Sequence, residues 1–193
     1  MAPAVRYLTH PQILIEPIKD SRSWSLNSTG AARVARLASR HSRLQLTRHI
    51  ISSPETTAME TAGPLAEALG LTVDVREKMH EHDRSSTGFL SKRELEQASS
   101  AFFSQPGKSV RGWEAASAAQ RRIMSEVDAC LDRDLLGDVL IVGHGGVGAL
   151  LYCGLSGHAI DRDHVQDMGG GAWFEFDSIL RQPLTGWRPM EAL

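Results

Sequence analysis

The sequence predicts an α/β fold on a mostly parallel sheet, and three observations carry that expectation. Short apolar runs alternate with helical periodicities along most of the chain, the pattern of strand–helix–strand units that set parallel strands side by side. The run Asp138-Val-Leu-Ile-Val-Gly143 is continuously apolar after its first residue, as a strand covered on both faces must be. Two such strands, Val5-Arg-Tyr-Leu-Thr9 and Asp138 to Gly143, run straight into a histidine, His10 and His144. The carboxyl ends of strands in an open α/β sheet border the ligand crevice, so both imidazoles are expected there.

Taken in order, the first strand stops where Pro11 removes a backbone donor. A loop from Gln12 to Ser25 follows, and Asn27 or Ser28 can cap a helix from Gly30 to Gln45 with Ala31, Val34, Leu37 and Ala38 on one face. Arg48 to Ser52 reads as the next strand. A helix starts after Ser53-Pro54, with Ser53 as its cap and Glu55 as a first-turn carboxylate favoured by the helix dipole, and it ends at Gly70. Leu71 to Val75 is a short strand. Met79 to Gly88 has neither period and is mostly polar, so it is a loop, the kind of segment that carries function. Helical patterns cover Lys92 to Ser104 and Trp113 to Leu135, separated by the turn Pro106-Gly107-Lys108. Gly145-Gly146 opens a helix to about Leu155, Ala172 to Phe176 is a last strand, and Leu180 to Leu193, with its two prolines, is expected to wrap the surface. No repeat or linker interrupts the series, so residues 1–193 are expected to form one domain.

Composition narrows the function. A hydrophobic content of 41% and charged content of 23% suit a globular chain with a real core, and a net charge of -2 calls for neither nucleic acid nor an anionic membrane as partner. No apolar run approaches the ~20 residues of a membrane span, and the N-terminus lacks the apolar core of a secretory leader. Cys130 and Cys153 form no disulfide framework and no metal spacing, so a reduced, cytoplasmic setting is expected.

The histidines and the polar loop suit phosphoryl transfer. One imidazole can hold the phosphoryl group as a phosphoamide, splitting one hard step into two. A loop carboxylic acid can protonate the leaving oxygen, and the second imidazole can meet the charge on the phosphoryl oxygens. Amides at the start of the Gly145-Gly146 helix favour an anion.

Five pieces in one order resemble the histidine phosphatase superfamily, branch 1, also called phosphoglycerate mutase-like. They are Leu8-Thr9-His10-Pro11, Trp24 to Gly30, Ser52-Ser53-Pro54 with Glu60-Thr61-Ala62, Met79-His80-Glu81, and Val142-Gly143-His144-Gly145-Gly146. The resemblance spans residue 5 to about 177. It implies a three-layer α/β/α sandwich, His10 as nucleophile, Glu81 as proton donor, His144 as second pocket histidine, and no metal or organic cofactor. The chain departs from the family at the two arginines that grip phosphate, whose places hold Thr9 and Thr57, and at Pro11, where the family has glycine. Each charged hydrogen bond so lost is worth about 1.5–3 kcal/mol. Thr9, Thr57 and Gly145 are therefore expected to touch the anion, and Arg84 and Arg111 to restore cationic charge, with His80 and His82 as further donors if they turn inward from an otherwise exposed loop. The substrate is expected to be a small phosphorylated metabolite. Two alternatives stand beside this reading. One is a binding module that keeps the site without its chemistry. The other is a metal-dependent hydrolase using His10, His80, His82, His144, Asp83 and Glu81, although the HExxH spacing of that class is missing. The sequence is silent on oligomeric state.

Overall fold

The computed structural model describes residues 3–40, 42–133, 135–166 and 169–193. Six strands form one sheet: β1 (Ala4–Thr9), β2 (Thr47–Ser52), β3 (Val73–Val75), β4 (Asp138–Gly143), β5 (Ala172–Asp177) and β6 (Arg188–Pro189), in the spatial order β3-β2-β4-β1-β5-β6. The first four are mutually parallel, and β5 and β6 add antiparallel at one edge.

Alternation along the central strands divides the core. Tyr7, Ile51, Val139, Ile141, Phe174 and Phe176 face a layer made by α3 (Lys92–Ser104), α4 (Ala116–Leu131) and α5 (Gly145–Ser156). Leu8, Ile50, Leu140, Val142 and Trp173 face the opposite layer, α1 (Ser28–Arg40) and α2 (Thr56–Leu69). This is the three-layer α/β/α sandwich, and it explains why β4 reads as unbroken apolar sequence: all six of its residues are buried.

Several boundaries differ from expectation. Helix α1 ends at Arg40, and the chain turns through Ser42–Leu44 to bury Leu44. Helix α4 begins only at Ala116, because Trp113 is buried in the preceding turn with its indole N–H donated to Thr87 Oγ1 at 3.0 Å. The tail does more than wrap. Its residues 188–189 pair with β5, and Met190 and Leu193 enter the core. No helix of the described residues is long and apolar enough to cross a membrane.

Register is what builds the site. Thr9 pairs with Gly143 across β1 and β4, and Ser52 with Val142 across β2 and β4. The residues just beyond these pairs must therefore emerge in a row. The His10 amide donates to the Gly143 carbonyl at 3.0 Å and the Ser53 amide to the Val142 carbonyl at 3.1 Å, which carries the alignment past the strand ends.

Candidate functional site

The imidazoles of His10 and His144, 134 positions apart in sequence, meet edge to face with centroids 5.2 Å apart. His10 Nδ1 lies 2.9 Å from its neighbour's carbonyl, Pro11 O. That contact places the proton on Nδ1, leaving Nε2 as a free lone pair with no hydrogen bond among the described residues. Burial first, and the His144 ring second, lower the His10 pKa to about 4, so the ring is neutral at physiological pH. His144 is pinned from two sides. The Tyr7 hydroxyl accepts its backbone N–H at 3.0 Å and donates to its carbonyl at 3.1 Å, while its Nε2 lies 2.7 Å from Ser53 Oγ. Gly143 makes the Tyr7 contact possible, since a Cβ there would sit 2.3 Å from the phenol oxygen. Burial lowers the His144 pKa to about 4 as well.

Glu81 is the most densely hydrogen-bonded carboxyl group of the site. Its Oε1 accepts the Val147 amide at 2.8 Å, the His82 amide at 3.0 Å and His82 Nδ1 at 3.1 Å; its Oε2 accepts the Gly146 amide at 2.9 Å. The carboxylate is thus a cap on the N-terminus of α5, where exposed amides and the helix dipole favour negative charge. Burial alone would raise its pKa, but the hydrogen bond from His82 and the charges of His82, His144 and Arg84 hold it well below the usual carboxylate range. A side chain at Gly146 would strike Glu81 Oε1 at 2.6 Å, so glycine is required for this approach. The loop is stapled from α4: Arg122 donates to the carbonyls of Lys78 and His80 at 2.8 and 3.0 Å and grips Glu114 at 2.7 and 3.0 Å.

Glu55, read in the sequence as a helix-start carboxylate, makes no side-chain cap on α2. It turns into the cavity instead. Oε1 accepts the Glu81 amide at 3.0 Å, and Oε2 stands 3.6 Å from His144 Nε2 without a hydrogen bond from any described residue. Burial, then the neighbouring charge of Glu81, raise its pKa. Ser53, expected as the cap, lies two residues before the N-cap position and closes a local turn instead, its hydroxyl accepting the Glu55 amide at 3.2 Å.

His10, Glu55, Glu81, His82 and His144 line a cavity of about 650 Å³ that also takes in Thr57, His80, Arg84 and Gly145, with Arg22 and Trp24. The half-buried Arg84 guanidinium has no hydrogen bond or ion pair among the described residues, yet its charge is felt by Glu55, Glu81 and His144. Arg22 is held by Asp20 at 2.6 and 3.0 Å.

Three expectations need correction. Thr9 is not on the cavity. Its buried hydroxyl accepts the Ala172 amide at 3.0 Å and bonds Gln166, tying β1 to the start of β5. Arg111 is exposed in a turn at φ 54°, away from the cavity, where its charge bears on Glu94. His82 is buried rather than exposed, stacked 4.3 Å from Phe102 and tilted against Trp113 at 5.3 Å. Among the described residues, no group of three or more His, Cys, Asp or Glu side chains is placed to hold a metal ion.

The model of the histidine phosphatase superfamily (branch 1) matches residues 16–176, a span that begins beyond His10. Among curated proteins, none matches the sequence. The fold is similar to that of native mycobacterial glucosyl-3-phosphoglycerate phosphatase, with a TM-score of 0.78 and 21% identity over 97% of this chain and 96% of that one. Its complex with inorganic phosphate gives 0.75 and 20% over 97% and 95%. Bacillus stearothermophilus YhfR gives 0.75 and 20% over 90% of each chain. At these identities the likeness is one of fold.

Proposed function

The chain belongs to branch 1 of the histidine phosphatase superfamily, and we propose that it hydrolyses a small phosphorylated metabolite through a phosphohistidine at His10. The observation that carries this reading is the pair of neutral imidazoles facing each other at 5.2 Å in one cavity, with the lone pair of His10 Nε2 left free by the bond from Nδ1 to Pro11. A nucleophile must be unprotonated and unengaged to attack phosphorus, and His10 is both.

In this reading the phosphoryl group sits between the two rings. His10 Nε2 attacks, His144 steadies the charge on the equatorial oxygens, and Gly145, whose amide Glu81 does not take, adds a backbone donor on the cavity. Arg84, the half-buried cation on the cavity wall without a partner among the described residues, takes the place of the arginines that Thr9 and Thr57 have lost. Thr57 lines the cavity with its hydroxyl free of hydrogen bonds to described residues and offers a weaker contact. A similar fold holds inorganic phosphate in the mycobacterial phosphatase complex, which supports an anionic ligand for this chain. The leaving oxygen needs a proton, and of the carboxyl groups that line the cavity Glu81, at the family's acid position, is the one expected to supply it.

The test is turnover of an aryl phosphate and a panel of phosphorylated metabolites by the wild type and by His10→Ala. Activity confined to the wild type is expected. Equal activity in both proteins rejects the mechanism, and absence of turnover with retained anion binding assigns the site to recognition alone.

A further inference from the structure

We propose that Arg122 and Glu114, which lie outside the cavity, form a clasp that sets the place of Glu81, and that Arg122 is thereby a positioning residue for proton transfer to the leaving oxygen. The inference rests on the phosphohistidine reading above, with Glu81 at the acid position, and deepens it.

It starts from how the loop is held. Residues 80–84 belong to no helix or strand, so their backbone groups need partners from elsewhere in the chain. Arg122, in the second turn of α4, meets them on one side: its Nη1 donates to the carbonyls of Lys78 at 2.8 Å and His80 at 3.0 Å. Its Nε and Nη2 grip Glu114, just ahead of α4, at 3.0 and 2.7 Å. Glu114 holds the other side. Its Oε2 accepts the Asp83 amide at 3.2 Å, and its own amide donates to the Asp83 carbonyl at 2.8 Å. One ion pair therefore fastens the chain both before and after Glu81. The direction of each bond is fixed, because guanidinium and amide groups only donate and carbonyls and carboxylates only accept.

Neither partner lines the cavity, and both are largely buried. They cannot touch a bound ester, so an effect on its reaction that depends on the leaving group has to pass through the loop. The clasp also uses what only arginine has. All the hydrogen bonds run from one planar fork, whereas an ammonium is a single centre that cannot meet two carbonyls and both carboxylate oxygens in these directions. In the step served, the bond from His10 Nε2 to phosphorus forms, the ester P–O bond breaks toward the leaving oxygen, and the Glu81 proton moves to that oxygen. An alcohol departs and a carboxylate remains. The water that next attacks phosphorus returns a proton to Glu81 as the N–P bond breaks back to Nε2.

The experiment measures kcat and KM of wild type, Arg122→Lys, Glu81→Gln and the double variant on para-nitrophenyl phosphate and propyl phosphate, with base-quenched detection of phosphohistidine. Nitrophenolate leaves without a proton and an alkoxide does not. Arg122→Lys keeps the charge beside Glu114 and loses the fork. It is expected to lose about 10- to 100-fold in kcat on propyl phosphate, the scale of a misplacement of about 1 Å, with KM changed under about 3-fold and the nitrophenyl ester slowed under about 3-fold. Phosphohistidine should still form from the nitrophenyl ester. In the Glu81→Gln background the same substitution is expected to cost under about 3-fold on propyl phosphate, because the clasp then has no acid to place. Glu114→Gln, which keeps an acceptor oxygen for the Asp83 amide, should show the same dependence on leaving group and carries the test if Arg122→Lys does not fold. Equal losses on the two esters, no loss on either, or the full loss repeated in the Glu81→Gln background overturns the positioning role and leaves the phosphohistidine reading intact. So does a Glu81→Gln variant that spares propyl phosphate, since there would be no acid to position. A wild type that forms no phosphohistidine overturns both.

Discussion

The two walls of the cavity are built on opposite plans. On one side the loop at Glu81 is fastened everywhere: its carboxylate by the amides of α5, its carbonyls by Arg122, its backbone by Glu114, and His82 by two aromatic rings. On the other side Glu55, at the start of α2, has one carboxylate oxygen unspent and faces the cavity, and of the loop's own side chains the Arg84 guanidinium is left likewise without a partner among the described residues. Saturation makes a group a good scaffold. The residues left underbonded in a buried polar site are the ones available to a ligand.

That contrast can be broken from either wall. The largest effect is expected from His10→Ala, which removes the proposed nucleophile. Turnover should fall by at least about 10³-fold, whatever the ester, in steady-state assays. Arg84→Ala should lower kcat/KM by about 10- to 100-fold, the size of one charged hydrogen bond to the phosphoryl group, whereas Arg111→Ala should change it less than about 2-fold. If the two variants behave alike, Arg84 is not the cavity's working cation.

Stability sharpens the same comparison. Glu81→Gln replaces an acceptor oxygen by a donor against the α5 amides and should cost about 1–3 kcal/mol in urea denaturation at neutral pH. Glu55→Gln should be neutral or slightly stabilising there. A carboxyl whose folded pKa is raised binds its proton more tightly in the folded state, so its ionisation opposes folding once the pH exceeds its unfolded value. Loss of stability in Glu55→Gln equal to that in Glu81→Gln would erase the distinction.

The histidines give the broadest signal. Both fall from about 6.5 unfolded to about 4 folded, so the unfolded chain binds more protons between those values. Stability should therefore decline as pH falls from about 6.5 to 4, by a few kcal/mol in all. In Glu81→Gln the decline should persist, while in His10→Ala it should shrink. Chemical denaturation across that window measures it.

The sequence was most legible where the physics is local. Both histidines could be placed because strand ends are marked by apolar runs and by the residues that stop them, and register then brought the two ends together. The polar loop was recognisable by its lack of period. What escaped depends on partners far along the chain. Thr9 is expected at the phosphate because it stands where the family has an arginine, yet its hydroxyl is claimed by Gln166 and Ala172. His82 looked solvated until Phe102 and Trp113, from two later segments, closed over it. Glu55 was correctly set at a helix start, but nothing in periodicity tells whether a first-turn carboxylate caps its own helix or turns away. The tail read as surface because one proline-flanked β pair is too short to leave a pattern.

The most direct test of the central claim is mass spectrometry of the wild type mixed with para-nitrophenyl phosphate and quenched at high pH. The account predicts a single base-stable, acid-labile phosphate on the peptide bearing His10, and none in His10→Ala. A phosphate on another residue, or hydrolysis with no phosphoenzyme at any time point, would contradict it.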